Sequence, residues 1–340
     1  MAGQSRRRWA SNFGPVQAYP SHPSETPNRT ETLSLVRATL VRILYLPVAA
    51  RDACTYGGSV RAWLFITALL GPVLAVAPYA VAQNPPLLSA KPQRVVSLNL
   101  CVDQLVLILA EPENVASVTW LSLDPKSSVV ADLAAAVPVI NRGTAEEALP
   151  LLPDLVLAGA YTTPFTIQML RRFGFNVEVL GVPTNLAEVR EQILWVGELL
   201  HEQERAEETV AAMNAALAAI PPPSGTSLRA AVFQPGGFTM GPGTFEHELL
   251  TAAGLHNVSE EAGITFYGFL SLEQVLILDP DLLVFPGHEA RLSIAEAMLD
   301  HPALRKAGGA KRPIRLPHAL WSCAGPMNVA AIALLASARG

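Results

Sequence analysis

Hydrophobic positions in this chain fall into short unbroken runs separated by helical stripes, and one such arrangement is written twice. The segments Glu146-Glu147-Ala148-Leu149-Pro150-Leu151-Leu152-Pro153-Asp154-Leu155-Val156-Leu157 and Glu273-Gln274-Val275-Leu276-Ile277-Leu278-Asp279-Pro280-Asp281-Leu282-Leu283-Val284 each set a glutamate seven residues before a proline-aspartate pair. The aspartate then leads into an apolar run with the length and branching of a buried parallel strand. Glu146 and Glu273 are 127 residues apart. That spacing is too long for a solenoid repeat and fits one α/β lobe per copy.

The pattern around each copy supports two such lobes. In the first, strands are predicted over 94–98, 114–119, 138–140, 155–158 and 176–180, alternating with helices that start near Gln104, Glu146 and Phe165. Strand and helix in alternation predict a parallel sheet with helical cover. From Asn185 the texture changes: Leu186, Val189, Ile193, Val196 and Leu199 recur at helical spacing, and a second stripe runs over 202–220 until Pro221-Pro222-Pro223 stops it. This stretch predicts one long rigid helix joining the lobes. In the second lobe we expect strands over 228–233, 282–285 and 314–316, a polar glycine-rich loop over 234–244, and helices over 245–253, from the N-cap Ser271, around 294–299 and over 326–336. The fold class expected is therefore α/β, two Rossmann-like lobes with mainly parallel sheets, divided as 92–184, 185–220 and 226–338.

The front of the chain differs. Residues 1–59 hold scattered arginines among Ser, Pro and Thr and predict little ordered structure; they read as a non-native or disordered extension, with translation starting near Val60. Arg61 then precedes an apolar run that ends in Ala80-Val81-Ala82, the order of a signal peptide spanning 60–82 and cleaved near Ala82. The competing reading is a membrane anchor, although Gly71, Pro72 and Pro78 interrupt the run and it barely reaches the roughly 20 residues a span needs. Export places Cys101 and Cys323 in an oxidising compartment as an even pair. They form one disulfide or stay as two buried thiols.

Composition narrows the function classes. The 340 residues are 50% hydrophobic with a formal net charge of −5, and no basic stripe runs through the mature part, so nucleic acid is not an expected partner. No phosphate-binding GxxxxGK[ST], zinc-type HExxH or nucleophilic G-x-S-x-G is present. We expect no catalytic residue, no resident cofactor and no structural metal. His247 and His256 share no metal-facing surface by spacing. His288 follows a strand end directly, where ligand-facing loops gather. The few aromatics matter more. Trp120, Tyr161, Phe238, Tyr267 and Trp321, with Phe266 and Phe269 beside them, interrupt polar segments near strand ends and so predict a cleft for a large, partly planar ligand. Glu146 and Glu273 each begin a short helix, where a carboxylate meets exposed N–H groups. Capping or common ancestry of the lobes explains the repeat; a pair of acidic knobs for a partner with two basic patches explains it too.

Taken together, Ser97-Leu98-Asn99-Leu100-Cys101-Val102-Asp103, the repeated Glu-x-x-Leu-x-x-x-Pro-Asp-Leu register, the leader and the central helix resemble the periplasmic substrate-binding proteins of iron-siderophore and vitamin B12 ABC importers, over roughly 92–336. The resemblance implies a monomeric receptor in the periplasm. Its ligand, a ferric siderophore, haem-like or corrinoid chelate, lies in the cleft near Asn99, Trp120, Tyr161, Phe238, Tyr267, His288 and Trp321. It also implies that Glu146 and Glu273 dock on the permease dimer, and through it on the cytoplasmic ATPase, and that the lobes move little on binding. Tyr267 matches a cleft tryptophan of the B12-binding member and Thr119–Pro125 its aromatic loop, with Leu123 in place of an aromatic; no arginine trio for carboxylates is recognisable. If paired, Cys101 and Cys323 tie the first strand end to the segment before the last helix. Two alternatives stay open: a receptor for free zinc or manganese, and a metallocluster enzyme with nitrogenase-like lobes.

Overall fold

The computed structural model describes residues 90–223, 225–287, 299, 301–302, 304 and 313–339. The segments read as an extension (1–59) and a leader (60–82), His288 and most of the helix expected around 294–299 lie outside the described residues.

The first lobe is a five-stranded parallel sheet of β1 (Val95–Ser97), β2 (Val115–Thr119), β3 (Val139–Asn141), β4 (Leu155–Gly159) and β5 (Val177–Leu180), in the order β3-β2-β1-β4-β5. Its strands are apolar because both faces are covered: β4 is buried throughout, and β1 likewise. The covering helices are α1 (Leu100–Leu109), α2 (Ala131–Ala134), α3 (Ala145–Ala148) and α4 (Pro164–Arg172). The second lobe holds β6 (Arg229–Val232), β7 (Phe238–Met240), β8 (His256–Asn257), β9 (Tyr267–Phe269), β10 (Leu282–Pro286) and β11 (Ile314–Leu316). Four of these form a parallel sheet in the order β11-β10-β6-β8, while β7 and β9 pair as a separate antiparallel ribbon.

That ribbon corrects one expectation. The polar loop expected over 234–244 contains β7, and its partner β9 is not among the strands expected in this lobe. The glycines and prolines over 234–244 signal turns, and they mask a strand of only three residues.

The lobes meet through α5 (Leu186–Leu199) and α6 (Gln203–Ala218), which pack on each other. Between them His201 takes the left-handed conformation, φ 56°, and Gly197 lets the helices close: a Cβ there would lie 2.3 Å from that of Ala206. The connector α6 is thus 16 residues rather than the 19 read from the stripe, about 24 Å at 1.5 Å per residue. Arg205 at its start donates to the Leu109 carbonyl at 2.8 Å and pairs with Glu111. Past its end, Arg339 of the terminal region donates to the Pro221 carbonyl. One apolar cluster runs from Val102, Leu105 and Leu109 through Ile193 and Met213 to Val232, Leu249 and Ile332. It includes α7 (Phe245–Ala252) and α9 (Asn328–Ser337) of the second lobe; α8 (Leu272–Leu278) packs in a smaller cluster.

The repeated motif has a matched internal role in each lobe. Leu152 and Asp279 both end their helical turn in the left-handed region, at φ 47° and 46°. The next aspartate caps a neighbouring strand: Asp154 accepts from the amides of Gln93 and Arg94 at 2.7 and 2.9 Å, and Asp281 accepts from that of Arg229 at 2.8 Å. Arg94 and Arg229 return the contact by donating to the carbonyls of Leu152 and Asp279. Each Pro-Asp pair therefore locks a helix end to two strand starts.

Asp103 of α1 is fully buried and accepts from the Thr119 amide at 3.0 Å and its hydroxyl at 2.5 Å. Burial pushes its carboxyl up to about 7, against the Thr119 hydrogen bonds that lower it. Between pH 4 and 7 the folded state therefore holds a proton that the unfolded chain has released. The stability from this group is full below the ordinary carboxylate range and is lost as pH rises toward 7. Asp103→Asn keeps an acceptor for Thr119 and removes the titration. In urea unfolding, the variant should gain roughly 2–3 kcal/mol on the parent between about pH 5 and pH 8, because each tenfold difference in proton affinity between folded and unfolded states is worth about 1.4 kcal/mol. Parallel pH profiles would contradict the buried carboxyl.

Candidate functional site

In open parallel sheets, ligands settle outside the carboxyl ends of the strands, where the strand order reverses. Here those points are β1/β4 in the first lobe and β6/β10 in the second. Asn99 follows β1 and caps α1, its side chain accepting from the Cys101 amide at 3.0 Å. Gly159 ends β4, and a Cβ on it would fall 2.7 Å from the Asn99 carboxamide carbon. Glycine is needed for this approach. Two residues on, Tyr161 stands 78% exposed.

On the second lobe, alternation along the β7–β9 ribbon puts Phe238, Met240, Tyr267 and Phe269 on one face, with Thr239 and Gly268 on the other. Thr239 is buried and donates to the Val232 carbonyl at 2.6 Å, which fixes the ribbon against β6. Phe238 stacks on Tyr267 with ring centroids 5.6 Å apart and meets Phe269 edge-on at 5.6 Å; Phe266 meets Tyr267 edge-on at 4.5 Å. Yet Tyr267 remains 43% exposed and Phe269 69%. Phe238, Met240 and Tyr267 line a cavity of about 500 Å³, joined by Gln234 and Pro235 after β6 and by His318 and Ser322 before α9. Glu246, in the first turn of α7, completes it.

Burial raises the Tyr267 phenol pKa first, then the Glu246 carboxylate, and then Tyr161 from the opposite lobe. Asp124, after β2, is held below the ordinary range chiefly by the Lys126 amide and the Ser127 hydroxyl, with His318 a further contributor across the cleft. Cys101 and Cys323 are joined by a disulfide, their Cα atoms 5.1 Å apart. The bond ties the first turn of α1 to the segment entering α9.

Of the residues predicted to line the cleft, Phe238, Tyr267 and Trp321 share this cavity; Tyr161 is not in its lining but bears on the Tyr267 phenol. Asn99 abuts the strand end that carries Tyr161. Trp120 is 53% exposed and opens the turn Trp120–Leu123, which Asp103 anchors through Thr119. Trp321 is only 5% exposed and packs in the shared core, so it offers the cavity an edge rather than a face. Sequence reasoning missed Gln234, Met240, Glu246 and His318. His318 follows β11 by two residues, the same placement after a strand that singled out His288.

Glu146 and Glu273 are both exposed at the second position of their helices, behind the capping hydroxyls of Thr144 and Ser271. Its own backbone amide and the Ser271 hydroxyl hold the Glu273 carboxyl below the usual range. Glu146 makes no hydrogen bond or ion pair with a described residue. Both helices end where a strand begins, so these glutamates lie toward the cleft edge of their sheets.

A family model described as periplasmic binding protein matches residues 95–317. The chain belongs to the periplasmic binding protein family. This periplasmic binding protein is 31% identical over 225 residues to a cobalamin-binding protein of Halobacterium salinarum, a match covering 64% of this chain and 60% of that one. The chain thus spans about 60% of the length of the curated relatives it matches. Its fold superposes on the apo periplasmic heme-binding protein RhuT of Roseiflexus sp. RS-1 with a TM-score of 0.61 at 24% identity, over 73% of this chain and 99% of that one. The periplasmic heme-binding protein HutB of Vibrio cholerae gives 0.59 at 21% identity, over 72% and 98%. At these identities the likeness shows the two-lobed fold.

Replacing both Cys101 and Cys323 by serine should lower the free energy of unfolding by roughly 2–5 kcal/mol, since the bond closes a very long loop. Guanidinium unfolding of the parent in reductant should show the same loss. Identical curves for parent and variant would mean that the lobes are not tied.

Proposed function

We propose that this chain is an extracytoplasmic receptor, exported by the 60–82 leader, that captures a metal chelate with a broad planar face and delivers it to an ABC importer permease. The observation that carries this reading is the half-exposed aromatic wall of Phe238, Tyr267 and Phe269, with Tyr161 of the other lobe near enough to bear on the Tyr267 phenol. Rings left in water forgo the stabilisation of burial. A planar ligand that slides between them restores it, with Gln234, Glu246 and His318 as the few polar fixings. Nothing reacts: the mechanism is desolvation of two aromatic faces around one flat guest. Haem-like and corrinoid chelates have that shape, and ferric siderophores share the metal-chelate class.

Delivery rests on Glu146 and Glu273. The paired Pro-Asp locks account for the rest of the repeat, which leaves two exposed carboxylates in matched positions without an internal task of equal weight. Two basic patches on a permease dimer, above its cytoplasmic ATPase, are their natural complement.

The alternatives draw less support. A receptor for free zinc or manganese needs several converging ligands, and among the described residues no group of three or more His, Cys, Asp or Glu is placed to hold a metal ion. A metallocluster enzyme needs free thiolates, whereas Cys101 and Cys323 are spent on each other.

Calorimetric titration with cyanocobalamin and hemin tests the cleft. Tyr267→Ala and Trp120→Ala should each weaken the bound chelate by roughly 1–3 kcal/mol, as anchor rings do; unchanged affinity in both would remove them from the site. Charge reversal of Glu146 and Glu273 together should abolish uptake while keeping affinity within about threefold. A large loss of affinity in that double variant would sink the docking assignment.

A further inference from the structure

The polar side of the cavity carries information that its aromatic side does not. Glu246 is the second residue of α7, behind the N-cap Thr244, and its carboxyl lines the cavity next to Tyr267. It is half-buried and makes no hydrogen bond or ion pair with another described residue. Its neighbour His247 is turned away, toward Glu260 at 3.5 Å and Asn257 at 3.3 Å. The polar groups lining the cavity with Glu246 are the phenol of Tyr267, the amide of Gln234, the imidazole of His318 and the hydroxyl of Ser322, and Tyr161 bears on the Tyr267 phenol from the first lobe. Beyond the cavity, Asp124 of the first lobe feels the charge of His318 and of its own neighbour Lys126. No described lysine or arginine lines the cavity itself.

A partly desolvated carboxyl whose only internal hydrogen bond comes from its own amide is costly unless a ligand completes it. Its charge sets which ligand can. A chelate whose edge carries carboxylates would set like charge against Glu246 in a setting where water screens poorly. A chelate whose edge carries neutral carboxamides would instead donate an N–H to it. Burial already pushes the Glu246 carboxyl upward, so it tolerates a carboxylate guest better as pH falls.

We propose that Glu246 is a specificity-determining residue that makes the cleft prefer planar metal chelates with carboxamide edges, of the corrinoid type, over those with carboxylate edges, of the porphyrin type. This rests on the receptor function proposed above and names the ligand class of the same cleft.

The full chain and its Glu246→Gln variant, compared by calorimetry with cyanocobalamin and with hemin at about pH 7.5 and about pH 5.5, provide the test. The near-isosteric glutamine keeps an acceptor oxygen, and thermal melts establish that both proteins are folded. The parent should bind cyanocobalamin at least about tenfold more tightly than hemin at the higher pH, with a smaller ratio at the lower one. The variant should weaken cyanocobalamin by about tenfold, as the charge-assisted hydrogen bond is lost, gain about tenfold for hemin and lose the pH dependence of the ratio. A parent that prefers hemin, or a ratio that the variant leaves unchanged, overturns the role of Glu246 while leaving the receptor function standing. Failure of both probes to bind either folded protein overturns the chelate reading as well.

Discussion

A single apolar core shared by both lobes is the constraint on which the rest of this structure depends. Leu105 and Leu109 of α1, Ile193 of α5, Met213 of α6 and Leu249 and Ile332 of the second lobe belong to one buried cluster. Wide separation of the lobes would expose that cluster to water, at about 25 cal/mol for each Å² of apolar surface. The Arg205 and Arg339 contacts pin the chain at both ends of the connector, and the Cys101–Cys323 bond adds a covalent tie between the lobes. A chain tied this way holds its cavity in one arrangement, as the shared core and the bond leave the lobes little room to part. That is the favourable arrangement for a rigid planar guest, because little ordering cost is left to meet on binding.

The same constraint explains the twice-written motif. Its aspartates fasten strand starts, its left-handed residues reverse the chain, and the arginines opposite them hold the freed carbonyls. These are folding tasks, and they recur because both lobes solve one packing problem. The glutamates sit outside that solution. Both are exposed, which suits a contact with another molecule better than a role in either fold.

Much of the architecture was legible because buried parallel strands announce themselves as apolar runs. The runs at 155–159 and 282–286 need no partner information to be recognised. The β7–β9 ribbon was not legible: its strands are three residues long, and what makes Phe238, Met240, Tyr267 and Phe269 converge is cross-strand register, which only the folded chain supplies. The site shows the same division. Aromatics in polar segments pointed to Tyr161, Phe238 and Tyr267, whereas Trp321 turned out to be mostly core because the segment bearing it is drawn inward beside the disulfide. Glu246 looks in sequence like an ordinary first-turn acid. Its exposure to the cleft follows from where α7 docks, and no local pattern encodes that.

The central claim is that one flat chelate occupies the space between Tyr161 and the Phe238–Tyr267 wall. An alternative hollow of about 460 Å³ lies on α4, beside the exposed rings of Phe165 and Phe173, but its lining comes from that one helix and its end. A crystal structure of the protein soaked with cyanocobalamin or hemin distinguishes the two most directly. Ligand density is expected in the cavity beside the Phe238–Tyr267 wall, with the ring of Tyr267 packed against the macrocycle. Density against Phe165 and Phe173 with an empty cleft would contradict it.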